Sequence, residues 1–270
     1  MGEFDGKVAI VTGAGRLRGI GRAAAVGFAK LGANVVVTGT GRDPSTFPPD
    51  EKAINWRDIH SVADQIESHG VKALPLVADV TNKDHVQNMI DQAVEEFGRV
   101  DILINNAAYA RGPDRVPVLD LDDDIFQRVI DIKIGGTYLC TKAFVAQLQK
   151  QGTGGKIVNI SSSAGKRGSA NTLAYNAANF AIVGMTQSMA REFGPMGINV
   201  NCVCPGAVDT HRMDDIDRET RWVEMAETTP IGRNGTDDET GEFCVYLCTE
   251  AASWIHGQSI NINGGTVMEH

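Results

Sequence analysis

No apolar run in this chain approaches the roughly 18 residues that would suggest a membrane span, and there is no low-complexity stretch. The opening segment M-G-E-F-D-G-K has no apolar targeting stretch, so the sequence predicts a cytoplasmic protein without a membrane partner. Basic residues are also short: 25 Lys and Arg stand against 34 Asp and Glu, a formal charge of -9, and they are scattered. Phosphate backbones demand a basic stripe, so a nucleic-acid partner is excluded and a small organic substrate fits better. The five cysteines lack the C-x-x-C spacing of zinc or redox sites, and no metal is expected. Cys202 and Cys204 would share a strand face, and Cys244 and Cys248 a helix face, so the four could cluster. The plainer reading makes them small buried hydrophobes in a reducing compartment.

What is present is a rhythm. Short apolar runs, K-V-A-I-V-T, N-V-V-V-T, A-L-P-L-V, D-I-L-I-N, K-I-V-N-I, I-N-V-N-C-V and S-I-N-I, alternate with amphipathic helical segments. One such segment spaces Val86, Met89, Ile90, Ala93, Val94 and Phe97 along a helix face. The pattern predicts an α/β fold, a Rossmann-like doubly wound parallel sheet of about seven strands with helices on both faces, as one domain over 1–270. Two stretches break the rhythm. Residues 39–56 are Pro-rich and longer than an ordinary connection, either a functional loop or a poorly ordered excursion. Residues 209–235 are rich in charge and Met.

T-G-A-G-R-L-R-G-I-G follows the first strand directly and opens a helix. Glycines suit that place because the turn is tight, the backbone must approach a diphosphate, and the helix N-terminus stabilises its charge. Further on stands S-S-S-A-G-K-R-G-S-A-N-T-L-A-Y-N-A-A-N, with Ser162 thirteen residues before Tyr175. Together with N-N-A at Asn105 to Ala107 and the closing G-Q-S-I-N-I-N-G-G, these segments resemble the single-domain short-chain dehydrogenase/reductases over essentially the whole chain.

The resemblance implies a dinucleotide site and a reversible hydride transfer between a secondary alcohol and a ketone. Gly13, Gly19, Ile20 and Gly21 match its glycine string, although five residues separate the first element from G-x-G where the family has three. Asp79 and Val80 match its adenine contacts, and Asn106 and Ala107 the element over the adenine ribose. Pro205, Gly206, Val208 and Thr210 match the segment that holds the carboxamide, and residues 209–235 match the substrate lid. Gly39, where an acid would select NAD(H), is no acid, and Arg18 and Arg42 lie nearby. That favours NADP(H), with NAD(H) as the alternative.

The resemblance makes Ser162 and Tyr175 catalytic, the tyrosine as acid or base and the serine as hydrogen-bond donor to the reacting oxygen. It also exposes a departure. The family places a lysine four residues after the tyrosine and an asparagine at the position of Lys133, whereas this chain has Asn179 and Lys133. The two residues look exchanged, so that Asn179 would serve the nicotinamide ribose and Lys133 would reach toward Tyr175. Loss of the family lysine leaves open a non-redox lyase or isomerase, or a nucleotide-sensing binding protein. Ala108, Tyr109, Ala164, Gly165, Asn171, Val208, Met213 and Trp222 should line a compact, partly apolar pocket. Lys166 and Arg167 invite an anionic substrate, but loop cations are usually only solvated. The small residues Ala177, Ala178 and Ala181 permit close helix packing, which suits a homo-oligomer, tetramer or dimer.

Overall fold

The structure, a computed structural model, describes residues 2–269. Its first half runs β1 (Val8–Val11), α1 (Ile20–Lys30), β2 (Asn34–Gly39), α2 (Pro49–Ala53), α3 (Ile59–Glu67), β3 (Ala73–Val77), α4 (Lys83–Phe97) and β4 (Ile102–Asn105). Then come α5 (Asp123–Ile130), a π-helical turn (Asp131–Gly135), α6 (Gly136–Gln151), β5 (Gly155–Ile160) and α7 (Leu173–Phe193). The chain closes with β6 (Ile198–Pro205), β7 (Val208–Asp209), α8 (Arg221–Thr228), β8 (Gly235–Thr236), α9 (Asp237–Tyr246) and β9 (Ser259–Ile262).

Seven strands form one parallel sheet in the order β3-β2-β1-β4-β5-β6-β9, and β7 pairs with β8 as a short separate ribbon. Successive residues of a strand point to opposite faces, and here both faces are dry. Ala9, Val11, Val35, Val37, Ile102 and Ile104 pack on one side, while Val8, Ile10, Val36 and Leu103 pack on the other. That is why the strands read as continuous apolar runs rather than alternating ones. The two cysteine pairs part company for the same reason. Cys244 and Cys248 belong to the first face, and Cys202 and Cys204 pack with Ile182 elsewhere, so no four-thiol cluster forms.

The strand order turns back between β1 and β4, and the crevice of a doubly wound sheet opens at such a switch. A buried polar column runs beneath it: Asn105 donates to Thr141 (3.0 Å) and Asn159 (2.9 Å), and Asn159 donates to Thr186 (2.9 Å). It fastens β4 and β5 to α6 and α7. Residues 39–56 are an ordered excursion. Phe47 and Trp56 are buried in the first core layer, and α2 carries Glu51 inward. Ala178 also faces inward, against Val129 of α5.

Helices α1 and α9 meet closely because Gly241 has no side chain: a Cβ there would lie 2.6 Å from the Ala23 Cβ and 2.7 Å from backbone atoms of Ala23 and Ala24. Backbone cannot yield as a flexible side chain does. Gly241→Ala should therefore cost about 1–3 kcal/mol of stability by overpacking, read as a lower urea midpoint at unchanged slope.

Candidate active site

The glycine string wraps the carboxyl end of β1. Thr12 Oγ1 accepts from the N–H groups of Asn106 and Ala107 (both 3.1 Å), and Asn106 Nδ2 donates to the carbonyls of Thr12 and Gly13 (both 2.9 Å). Gly13 has φ +67°, and a Cβ on it would stand 2.9 Å from the Ala107 Cα; one on Gly21 would stand 2.5 Å from Asn106 Nδ2. Neither position accepts a side chain, and the backbone stays bare where a diphosphate must approach. Gly19 caps α1 and its N–H donates to Asp237 (2.9 Å), while the first-turn N–H groups that follow have no intrahelical acceptor. Val80 and Ala107 line a narrow crevice with Thr12, Ile132 and Gly136. Asp79 directly precedes Val80 in the chain. Partial burial opposes its charge, but the Thr81 N–H (2.9 Å) and hydroxyl (2.7 Å) and Arg128 (3.2 Å) hold its pKa below the usual carboxylate range.

The glycine string and the excursion after β2 grip each other. Trp56 Nε1 donates to the Gly15 carbonyl (2.7 Å), Leu17 N–H donates to Glu51 (2.9 Å), and Arg42 donates to Gly15, Glu51 and Asp58. Glu51 is 1% exposed and Asp58 7%. Asp58 lies between the glycine string and the end of β2: a Cβ on Gly15 would be 1.8 Å from its Oδ1, and one on Gly39 would be 3.4 Å from its Oδ2. Its Oδ2 is buried without a hydrogen-bond partner among the described residues. A carboxylate thus does stand at the end of β2, delivered from nineteen positions further along. Arg18 points elsewhere. Burial works against its charge, but hydrogen bonds to Asp214 (2.7 Å) and Asp50 (2.8 Å) raise its pKa, and it also reaches Asp209 (3.1 Å).

Three consecutive serines fix the turn after β5. Ser161 donates to the Asn179 carbonyl (2.9 Å) and Ser163 to the Pro205 carbonyl (2.9 Å), tying the turn to α7 and to the end of β6. Ser162, between them, accepts from the Ala164 N–H (3.1 Å), which leaves its own O–H to donate. Asn176, the neighbour of Tyr175, donates to the carbonyls of Ala164 (2.7 Å) and Arg167 (2.9 Å) and so clamps the serine turn to the first turn of α7. Beyond Pro205, Gly206 needs its bare Cα because a Cβ would meet Asn263 at 2.8 Å, and Val208 and Thr210 are buried on the same segment.

Lys133 is the buried residue of the π-helical turn, 5% exposed, and α7 packs against that turn. Burial first, and Arg212 second, lower its amine to about 8, with the Cys202 and Cys204 thiols pulling the other way. It makes no ion pair among the described residues. Asn179, 1% exposed, donates from Nδ2 to the Tyr175 carbonyl (2.8 Å), and its Oδ1 is buried without a partner. Two residues absent from the sequence expectations crowd the tyrosine. The guanidinium of Arg115 lies 3.8 Å from the Tyr175 ring centre and that of Arg212 lies 5.0 Å away. They come from the β4–α5 connection and from the segment after β7, where spacing to the tyrosine carries no signal. Lys166 is not simply solvated: its amine pairs with Glu269 (2.5 Å) and its side chain is largely buried.

A bare glycine cradle at a strand switch, an unpaired carboxylate oxygen beside it, and a serine turn clamped to the first turn of the tyrosine helix are the layout of a nucleotide-binding α/β fold. Comparison with known proteins gives the family. The family described as enoyl-(acyl carrier protein) reductase matches residues 13–267. An uncharacterized oxidoreductase of Mycobacterium tuberculosis is 36% identical over 98% of this chain and 99% of its own length. The cis-4-hydroxycyclohexanecarboxylate dehydrogenase of Sinomonas cyclohexanicum is 36% identical over 98% of both. A short-chain type dehydrogenase/reductase from Mycobacterium marinum superposes with a TM-score of 0.85 at 31% identity, covering 98% of this chain and 97% of that one. The chain belongs to the short-chain dehydrogenase/reductase family. No helix among the described residues is long and apolar enough to cross a membrane, and no metal-binding group of His, Cys, Asp or Glu occurs among them.

The buried Lys133 makes a pH-dependent contribution to stability. Its folded pKa lies near 8 against a reference of 10.5, so between those values the unfolded chain binds more protons and stability rises with pH. Lys133→Met should abolish that rise, on the order of 3 kcal/mol in full. Urea midpoints at pH 7.5 and 10 should converge between the two proteins, the wild type being the one that gains.

Proposed function

We propose that this protein interconverts a secondary alcohol and a ketone, with Tyr175 as acid or base and Ser162 as donor to the reacting oxygen. The observation that carries this reading is the Asn176 clamp, which ties the turn after Ser162 to the first turn of α7, the turn that carries Tyr175. The cradle and the unpaired Asp58 oxygen fit a nicotinamide dinucleotide, which when bound supplies or accepts the hydride. Gly13, Gly19, Ile20, Gly21, Asn106 and Ala107 would receive its diphosphate and adenosine half. Pro205, Gly206, Val208 and Thr210 would receive the carboxamide, and Asn179 the ribose through its unpaired Oδ1. In reduction Tyr175 gives its proton to the carbonyl oxygen while Ser162 steadies the developing negative charge; in oxidation the tyrosine takes the proton back.

The positive charge that Asn179 cannot supply comes from Lys133, Arg115 and Arg212. Lys133 and Asn179 exchange the family's two polar roles across the contact between α7 and the π-helical turn. Residues 209–235 act as the lid, and the exposed Tyr138 of α6 and Phe180 of α7 suit contact with further copies of the chain, a dimer or tetramer.

For the cofactor, the absence of an acid at Gly39 pointed to NADP(H), but Asp58 brings one to that place and carboxylates engage both Arg18 and Arg42. An acid there accepts from a ribose hydroxyl and repels a 2′-phosphate, which supports NAD(H) over NADP(H). Asp58→Asn should lower the ratio of NADH to NADPH affinity by about tenfold or more, read by fluorescence titration without substrate. An unchanged ratio would return the choice to NADP(H).

Turnover is tested by following NADH and NADPH oxidation against neutral ketones, with Tyr175→Phe as control. Tyr175→Phe should lose about 10²–10⁴-fold in kcat/KM while keeping cofactor affinity. The lost lysine at position 179 favours one other reading, a non-redox or nucleotide-sensing protein. It would be right if cofactor binds tightly and no carbonyl compound is reduced.

A further inference from the structure

Arg115 and Arg212 at the Tyr175 ring, with their neighbours Arg111 and Lys133, outnumber their anionic partners among the described residues. Arg111 pairs with Asp215, and Arg115 lies beside the buried Asp114 (3.3 Å) in poor geometry, for Arg115 Nε and Asp114 Oδ2 are both left without a hydrogen bond. Arg212 touches no carboxylate among the described residues; its only acceptor is the Tyr109 carbonyl. Lys133 has none either. The acids of the neighbouring segment are engaged elsewhere, Asp209 and Asp214 with Arg18 and Arg218, and Asp214 also with His211. The cations also work against one another: burial is the main cause that lowers the Arg115 pKa, Asp114 and Tyr175 oppose it, and Arg212 and Arg111 add to the lowering. Like charges brought together in a half-buried site raise the energy of the free protein unless an anion joins them.

We propose that the missing anion is part of the substrate, a carboxylate that docks on Arg212 and Arg115 while its ketone or alcohol meets Ser162 and Tyr175. This rests on the oxidoreductase reading above and narrows it to oxo and hydroxy carboxylic acids. A guanidinium fork matches a carboxylate in plane and can bind it through two parallel hydrogen bonds. The two arginines enter from different walls, the β4–α5 connection and the segment after β7, so one carboxylate would join the lid to the body of the protein. Tyr175 lies within 5.0 Å of both guanidinium carbons, so a carboxylate a few bonds from the reacting carbon can span the two contacts.

The test has a binding arm and a turnover arm. Cyclohexanecarboxylate and cyclohexanecarboxamide are titrated calorimetrically into cofactor-loaded wild type, Arg212→Met and Arg212→Lys, at low and high salt. The carboxylate should bind about 10- to 100-fold more tightly than the amide. That preference should shrink with salt, vanish in Arg212→Met and return in part in Arg212→Lys. In the turnover arm, 3- to 5-oxo acids and their methyl esters are compared as substrates. The wild type should prefer the acids by a similar factor in kcat/KM, and Arg115→Met and Arg212→Met should bring the acid-to-ester ratio toward one. No preference in the wild type overturns the proposal. So does an equal loss for acid and ester in the variants, which would mean that the arginines act on the tyrosine alone. If neither acid nor ester is reduced, the oxidoreductase reading fails, and the calorimetry still decides whether the site takes a carboxylate.

Discussion

Buried backbone groups must be paired, and in this protein that demand is most acute where the central parallel strands run out of neighbours. At the carboxyl ends of β1, β4 and β5 the ladder stops, and side chains take over. Thr12 and Asn106 close the end of β1, Asn105 and Asn159 join β4 to β5, and Ser161 and Ser163 hold the turn beyond β5. What these residues do not fill is the crevice. Its shape follows from which polar groups the sheet needed to satisfy, and Ser162 is available for chemistry because its two neighbours perform the structural work.

The two irregular insertions are one feature. A longer glycine string exposes the Gly15 carbonyl, and the excursion after β2 answers it with Trp56 and Arg42. Arg42 in turn gives the buried Glu51 and Asp58 a partner, which a buried carboxyl needs. Neither insertion would be stable in this form without the other. Together they return to the end of β2 the carboxylate that Gly39 lacks.

How much could be read in advance follows the range of the interactions. The seven strands and the glycine turn after β1 were legible because each rests on local periodicity or on spacing within one segment. Asp58 was not, because its place beside Gly15 depends on how a long excursion folds back. Nothing in the sequence singles out Arg115 or Arg212, and only the fold brings them to one ring. The cysteines teach the converse. Cys202 and Cys204 do share a packing site on β6, but Cys244 of α9 and Cys248 of the turn after it pack in a different part of the core. Asn176 had a usable signal: a polar amide beside the tyrosine, on the buried side of a helix, had to find acceptors nearby.

Between α5 and α6 the chain takes a π-helical turn, which spends one residue more than an α-helical turn. That residue shifts the phase of all that follows by about 100°. Val129 faces α7 before the turn, Cys140 and Phe144 face the sheet after it, and Lys133 is aimed inward from the turn itself. The bulge therefore lets one continuous helical stretch serve two directions: the residues ahead of it pack on α7, those beyond it pack on the sheet, and Lys133 is turned inward between them.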